Sequence, residues 1–370
     1  MKSTSGNHYI ALDHVRAVAA FLVFAWHFTR GIDGTPVPYD YRPSFFPFSL
    51  LNEGYIGVSV FMTLSGYLFA RLINGREIVF SAFLWNRILR LIPLLVVMLI
   101  VACSLTVSLR HSEVSLQHSL KTFGLKVLKG VIYPTLPNGG WSITVEFHFY
   151  ILLPLLLWMQ RKSKWLPLTV VAAAILFRWW IFHRTGAVRH VGYMTMVGRI
   201  DQFVWGMVIC QYRDFIARRH VPVILFLLGY LWLNWGFGDS GAYYIGRSAN
   251  HAESNPIWII LPTIEGLAFA VGIAWYETSF NHSTTGVSRF VSLLGEYSYF
   301  IYLFHFFIVF NAAHYIHTQI MDISNFFLAC LWAAGVMICM MPAAYLSSCF
   351  IEMPWMAHRK KYIKADQPTA

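Results

Sequence analysis

Long apolar runs separated by short polar breaks dominate the chain, and each run is near the length a helix needs to cross a bilayer. At 1.5 Å per residue, roughly 20 apolar residues cover a hydrocarbon core of about 30 Å. Ten such runs lie near residues 11–30, 54–73, 91–109, 141–160, 165–183, 191–211, 221–238, 256–276, 290–316 and 326–351. They are continuous and do not alternate over ten-residue stretches, which argues against a β-barrel. The expected fold is all-α: a polytopic transmembrane helical bundle of about ten spanning helices, forming one domain over residues 1–370. The loops at 31–53, 110–140 and 239–255 are the ones long enough to build outer elements of their own. The first run is expected to be a retained helix, since it is too long and too charged for a cleaved signal and lacks a small-residue cleavage site.

Composition agrees with this pattern and removes several function classes. Hydrophobic residues make up 57% of the chain and charged ones 12%, values that belong to an integral membrane protein. The net charge of +11 does not point to nucleic acid, because the basic residues gather at span boundaries and not on one soluble face. Membrane lipid head groups and an anionic cytoplasmic ligand suit them better. With the N-terminus inside, inner segments hold sixteen Lys and Arg and outer segments nine, so both termini are expected to be cytoplasmic, in the cell inner membrane. The five cysteines, Cys103, Cys210, Cys330, Cys339 and Cys349, fall within predicted spans as buried apolar groups, with no disulfide framework and no metal-ligand spacing.

Polar groups inside these spans are where chemistry is expected. In the first run, "ALDHVRAVAAFLVFAWHFTRG", Arg16, Ala20 and His27 fall at about 300°, 340° and 320° from Asp13 around a helix, so they share one face. Arg16 and His27 are about 16 Å apart along the axis, which makes a stripe running inward from the cytoplasmic boundary. Such groups cost several kcal/mol unless they meet partners or a wet cavity. The plainer reading makes Asp13 and Arg16 an interfacial clamp and His27 a satisfied neighbour. After the small-residue second run, "NRILRL" places Arg87 and Arg90 on one face at the inner boundary, a phosphate clamp suited equally to lipid phosphates.

The fourth run opens "GGWSITVEFHFY", a ladder of Ser142, Glu146 and Tyr150 in which Glu146 is either functional or a clamp between helices. Arg199 and Asp201 point about 200° apart, so different helices should hold them, in structural roles. In "LGEYSYFIYLFH", Tyr299, Tyr302 and His305 line one surface, where His305 either packs or helps bind an acceptor.

Together these stretches resemble the acyltransferase-3 family, membrane proteins that move acyl groups from acyl-coenzyme A onto extracytoplasmic glycans and related acceptors. "LDHVRAVAAFLVFAWH" matches the family's opening pattern of an Arg and, ten residues on, a His, here Arg16 and His27. "GVSVFMTLSGYL", "NRILRLIPL", "GGWSITVEFHFY" and "LGEYSYFIYLFH" match the later ones in order. The chain departs where the family often has two adjacent acidic residues, since Glu146 is followed by Phe147. The family's frequent SGNH-type hydrolase domain is also missing after the tenth run, so any second partner is expected to be a separate protein.

The resemblance implies an O-acyltransferase that binds no resident cofactor, with acyl-CoA, acetyl-CoA foremost, as donor co-substrate and a glycan or glycolipid as acceptor. Arg16, Arg87 and Arg90 would hold the coenzyme, with the pantetheine arm running along the Arg16 face toward His27. His27 would act as general base, Glu146 would orient it or bind sugar, and Trp141, Ser142, Tyr150 and His305 would bind substrate. An acyl-His27 or acyl-serine intermediate is the competing route. Outside the resemblance, a transporter or flippase of an anionic or glycolipid substrate also places charges in the membrane, though it commonly shows paired repeats or broken helices. A lipid-binding scaffold explains the basic loops but not Arg16, His27 and Glu146. Oligomeric state is not legible in these patterns.

Overall fold

The computed structural model describes residues 9–30, 36–38, 41–43, 46, 48–110, 115–239 and 254–364. The predicted outer loop 239–255 lies, apart from Asp239, Ser254 and Asn255, outside the described residues, as do Lys2 and Arg247 of the topology count. In chain order the α-helices are α1 (Ile10–Arg30), α2 (Ser49–Asn52), α3 (Gly57–Ile73), α4 (Phe80–Arg110), α5 (Leu116–Ile132), α6 (Trp141–Lys162), α7 (Leu168–Thr185), α8 (Arg189–Met194) and α9 (Met196–Gln211). They continue as α10 (Arg213–Ile216), α11 (His220–Asp239), α12 (Leu261–Ser279), α13 (Gly286–Glu296), α14 (Ser298–Phe304), α15 (Val309–Tyr315), α16 (Phe326–Cys339), α17 (Met341–Ser347) and α18 (Met353–Met356). Among the described residues the only β pairing is an isolated antiparallel bridge between Ile78 and Ile363.

Among the described residues five helices are long and apolar enough to cross a membrane: Ile10–Arg30, Gly54–Ile73, Phe80–Ser108, Trp141–Lys162 and Phe326–Met356. A sixth arises if Ser298–Phe307 and Val309–Ile320, bent by 61°, form one span. The chain is therefore a multi-pass helical membrane protein. The remaining predicted runs 165–183, 191–211, 221–238 and 256–276 are helical as α7, α9, α11 and α12, but each is shorter or more polar than those five. The run 290–316 is not one helix: α13 and α14 are followed by a 3-10 turn at His305–Phe307 before α15. Within the predicted loop 110–140, α5 begins where the Ser115 side chain accepts the His118 N–H, and it exposes Leu120, Leu125 and Leu128. Of the five cysteines, Cys210 alone is buried and Cys339 is exposed, which corrects the expectation that all are buried.

The core is organised around α1, α3, α9 and α12, and small residues set how closely they approach. At the α3–α9 crossing, a Cβ on Gly66 would lie 2.0 Å from the Phe203 carbonyl oxygen and one on Gly206 2.1 Å from that of Thr63. Each glycine thus admits the other helix's backbone, which is the packing role that small residues serve in membranes. Between α1 and α3, Gly57 meets the Ala19 carbonyl in the same way, at 2.3 Å. Around these contacts Phe149 and Phe203 stack with ring centres 4.1 Å apart, and Phe24, Phe28 and Phe69 are fully buried.

Gly66→Ala is expected to lower stability by about 1–3 kcal/mol through overpacking, seen as a lower Tm of the detergent-solubilised protein. Gly124→Ala on α5, where nothing lies within 4 Å, should hold or raise it.

Candidate active site

A cavity of about 260 Å³ lies between α1, α3, α4, α6 and the α13–α14 segment. Its wall on α3 runs from Leu72 to Val58, about 21 Å of helix and most of a hydrocarbon core. Tyr9, Asp13, Arg16, Arg87, Arg90, Arg359 and Tyr362 line one charged end, the mouth. Val58, Phe61, Ser142 and Tyr302 close the other end.

The three arginines singled out in the sequence therefore come together at one mouth, although they belong to two helices. Arg16 is ion-paired to Asp13 one turn earlier. Arg87 lies over the rings of Phe69 and Phe83, at 5.2 and 5.5 Å. Arg90 is 3.3 Å from Glu352, far along the chain.

Halfway along the cavity the Tyr150 hydroxyl donates to Glu146, and the Ser65 hydroxyl donates to the same carboxylate oxygen at 3.1 Å. Ser142, Glu146 and Tyr150 do share one face, all three lining the cavity. Glu146, expected to orient His27 or to bind sugar, has its hydrogen bonds with Ser65 and Tyr150, on α3 and α6, where α6 turns it toward the cavity wall. Trp141, placed with the substrate-binding residues, is not among the cavity-lining side chains. It packs on Tyr193 with ring centres 5.3 Å apart and lies 5.8 Å below the Arg199 guanidinium.

His27 does not line the cavity either, so the path along the Arg16 face stops short of it. Tyr302 lies between: it lines the cavity and packs on His305 with ring centres 5.8 Å apart. His305 in turn approaches His27, Nε2 to Nδ1, at 3.3 Å. The break after α14 makes this pairing possible, since the 3-10 turn begins at His305. Sequence inspection kept the two histidines separate, because neither their spacing nor the apolar run around His305 reveals the bend.

The partners of the two rings fix their tautomers. His27 Nδ1 is 2.8 Å from the Val23 carbonyl oxygen and His305 Nδ1 is 2.6 Å from that of Tyr302. A carbonyl only accepts, so each neutral ring carries its proton on Nδ1. His305 Nε2 then turns a lone pair toward the His27 Nδ1–H, and His27 Nε2 is left unprotonated. His27 is half-buried, with Trp26 and Phe306 against it at 4.6 and 4.5 Å between ring centres. An unprotonated imidazole nitrogen in an aromatic surround is suited to accept a proton.

A separate polar cluster ties α7, α9 and α12. Arg178 donates to Asp201 at 2.8 Å, to Thr263 at 2.8 Å and to the Ile259 carbonyl at 2.7 Å, and neither Arg178 nor Asp201 is exposed. Arg199 turns elsewhere, to the Ser59 hydroxyl at 3.4 Å and over the Tyr193 ring at 4.5 Å. Arg199 and Asp201 thus meet different helices, as expected, although the backbone at Arg199 is kinked out of helical geometry (φ −134°, ψ 18°). Ser65 and Arg359 also line the cavity, and local periodicity singles out neither, since each meets the site only through residues far away in the chain.

Residues 9–347 match the family model described as an acyltransferase domain, Acyl_transf_3, so the chain belongs to the acyltransferase-3 family. No curated protein and no solved structure matches the chain.

In protein with 15N-labelled histidine, the His27 signals, assigned by their loss in His27→Ala, should show a protonated Nδ1 and an unprotonated Nε2 at neutral pH. A protonated Nε2 would contradict the assigned tautomer.

Proposed function

We propose that this protein is an O-acyltransferase of the cell inner membrane. It moves an acyl group, acetyl foremost, from cytoplasmic acyl-CoA to a hydroxyl of an extracytoplasmic or lipid-linked glycan. The reading rests on one observation: a cavity with an arginine-rich mouth ends at Tyr302, which packs on His305, and His305 in turn meets His27, whose Nε2 is bare. Ten spans with both termini inside fit this arrangement, since Tyr9 and Tyr362, near the two ends, border the same mouth.

Coenzyme phosphates bind at Arg16, Arg87 and Arg90, where guanidinium groups make charge-assisted hydrogen bonds to anions. The pantetheine arm lies in the cavity, and its thioester reaches the Ser142 end. Transfer requires the Tyr302 ring to turn aside. The acceptor hydroxyl, coming from the opposite side, gives its proton to His27 Nε2 as its oxygen attacks the thioester carbonyl. The C–O bond forms, the C–S bond breaks, and the departing thiolate takes the proton back from His27. His305 and the Val23 carbonyl hold the imidazolium through Nδ1–H while the proton resides there. Glu146 keeps Tyr150 and Ser65 in place along the arm.

In membranes given radiolabelled acetyl-CoA and a glycan-bearing acceptor fraction, His27→Ala should lower transfer by about 10²-fold or more. Full transfer by correctly folded His27→Ala would overturn the general-base role. Arg87→Ala with Arg90→Ala should raise the KM for acetyl-CoA and leave kcat nearly unchanged.

A further inference from the structure

We infer that residues 358–364, beyond the segment that matches the family model, form a strap that brings Arg359 to the donor mouth as a fourth phosphate-binding guanidinium, beside Arg16, Arg87 and Arg90. This inference rests on the proposed acyl-CoA reading and adds a residue to it.

The strap is built into the fold. Asn86, fully buried on α4, holds it at two points: its side-chain amide donates to the Lys360 carbonyl at 2.7 Å, and its oxygen accepts the Lys360 N–H at 2.9 Å. Two backbone bonds continue the attachment, Val79 N–H to the Tyr362 carbonyl at 2.7 Å and Lys364 N–H to the Glu77 carbonyl at 2.9 Å. Between them lies the Ile78–Ile363 bridge. The Tyr362 ring is buried against Phe83 with ring centres 5.5 Å apart, and Phe83 also supports Arg87. A chain end held by a bidentate amide, a short ladder and a buried ring has its ordering entropy offset before any ligand arrives.

What the strap presents is positive charge. Arg359 lines the cavity beside Arg87 and Arg90, with its Nε donating to the Met356 carbonyl at 2.9 Å. Burial first, and then the positive charges of Arg90 and Arg87, hold its guanidinium below the usual arginine range. Arg16, Arg87, Arg90 and Arg359 gather at one end of the cavity, with Glu352 at 3.3 Å from Arg90, and an anion with more than one charged group suits such a cluster. A nucleotide thioester carrying several phosphates is such an anion, while a phosphate-free thioester fills only the apolar cavity. The strap is thus a specificity element for the coenzyme portion of the donor, and Asn86 is its positioning residue.

The test compares acetyl-CoA with the phosphate-free donor S-acetyl-N-acetylcysteamine, using wild type, Arg359→Ala and Asn86→Ala in membranes. Arg359→Ala is expected to raise the KM for acetyl-CoA about tenfold, from the loss of a charge-assisted contact, and to narrow the KM ratio between the two donors by the same factor. Asn86→Ala should move the ratio in the same direction, and Arg359→Lys should restore part of it. A purely structural role would shift both donors equally, and an unchanged ratio in both alanine variants overturns the strap. Absence of transfer by the wild type from either thioester would instead overturn the acyltransferase reading, so the two failures are distinguishable.

Discussion

Polar and charged side chains in an apolar bundle cost several kcal/mol each unless a partner or water meets them, and the placement of such groups here follows from that cost. The chain meets it in two ways. Where the surroundings are dry, the partner set is tight: Arg178 reaches Asp201, Thr263 and a backbone carbonyl, and joins three helices. Where the groups border the cavity, pairing is partial. Arg87 rests on aromatic faces, and Glu146 takes two hydroxyl donors while still lining the open space.

The close helix crossings give the cavity its shape. Because Gly66 and Gly206 let α3 and α9 touch backbone to backbone, α3 is drawn against α9 on one side while Ser65, the residue before, faces Glu146 on α6. The break after α14 has the complementary effect. It interrupts what would be a continuous span and turns His305 onto His27, so the stored bend is used to assemble a two-histidine unit. The carbonyls of Val23 and Tyr302 then select the tautomer of both rings, which is a backbone contribution that no side-chain motif encodes.

Much of the site was legible along the chain because it obeys local periodicity. The Asp13–Arg16 clamp and the shared face of Ser142, Glu146 and Tyr150 both follow from 100° per residue. The clustering of Arg16 with Arg87 and Arg90 was anticipated only in part, since phase says nothing about which helices adjoin. Glu352 and Arg359 carry no local signal of their place beside the cavity mouth, because Arg90 and Arg87, which they approach, lie more than 260 positions earlier.

The sequence by itself determined that this is an all-helical, multi-pass membrane protein of the acyltransferase-3 family, because apolar run length and the order of its motifs are properties of the chain alone. It also determined which polar residues would be costly in a membrane. Tertiary structure alone decided how those costs are met: Glu146 turned to Ser65 and Tyr150 and not to His27, His305 joined to His27, Tyr302 between them and the cavity, and the chain end bound to Asn86. Each of these depends on contacts between residues far apart in sequence, set by where glycines allow close approach and where a helix breaks, and periodicity carries no information about either.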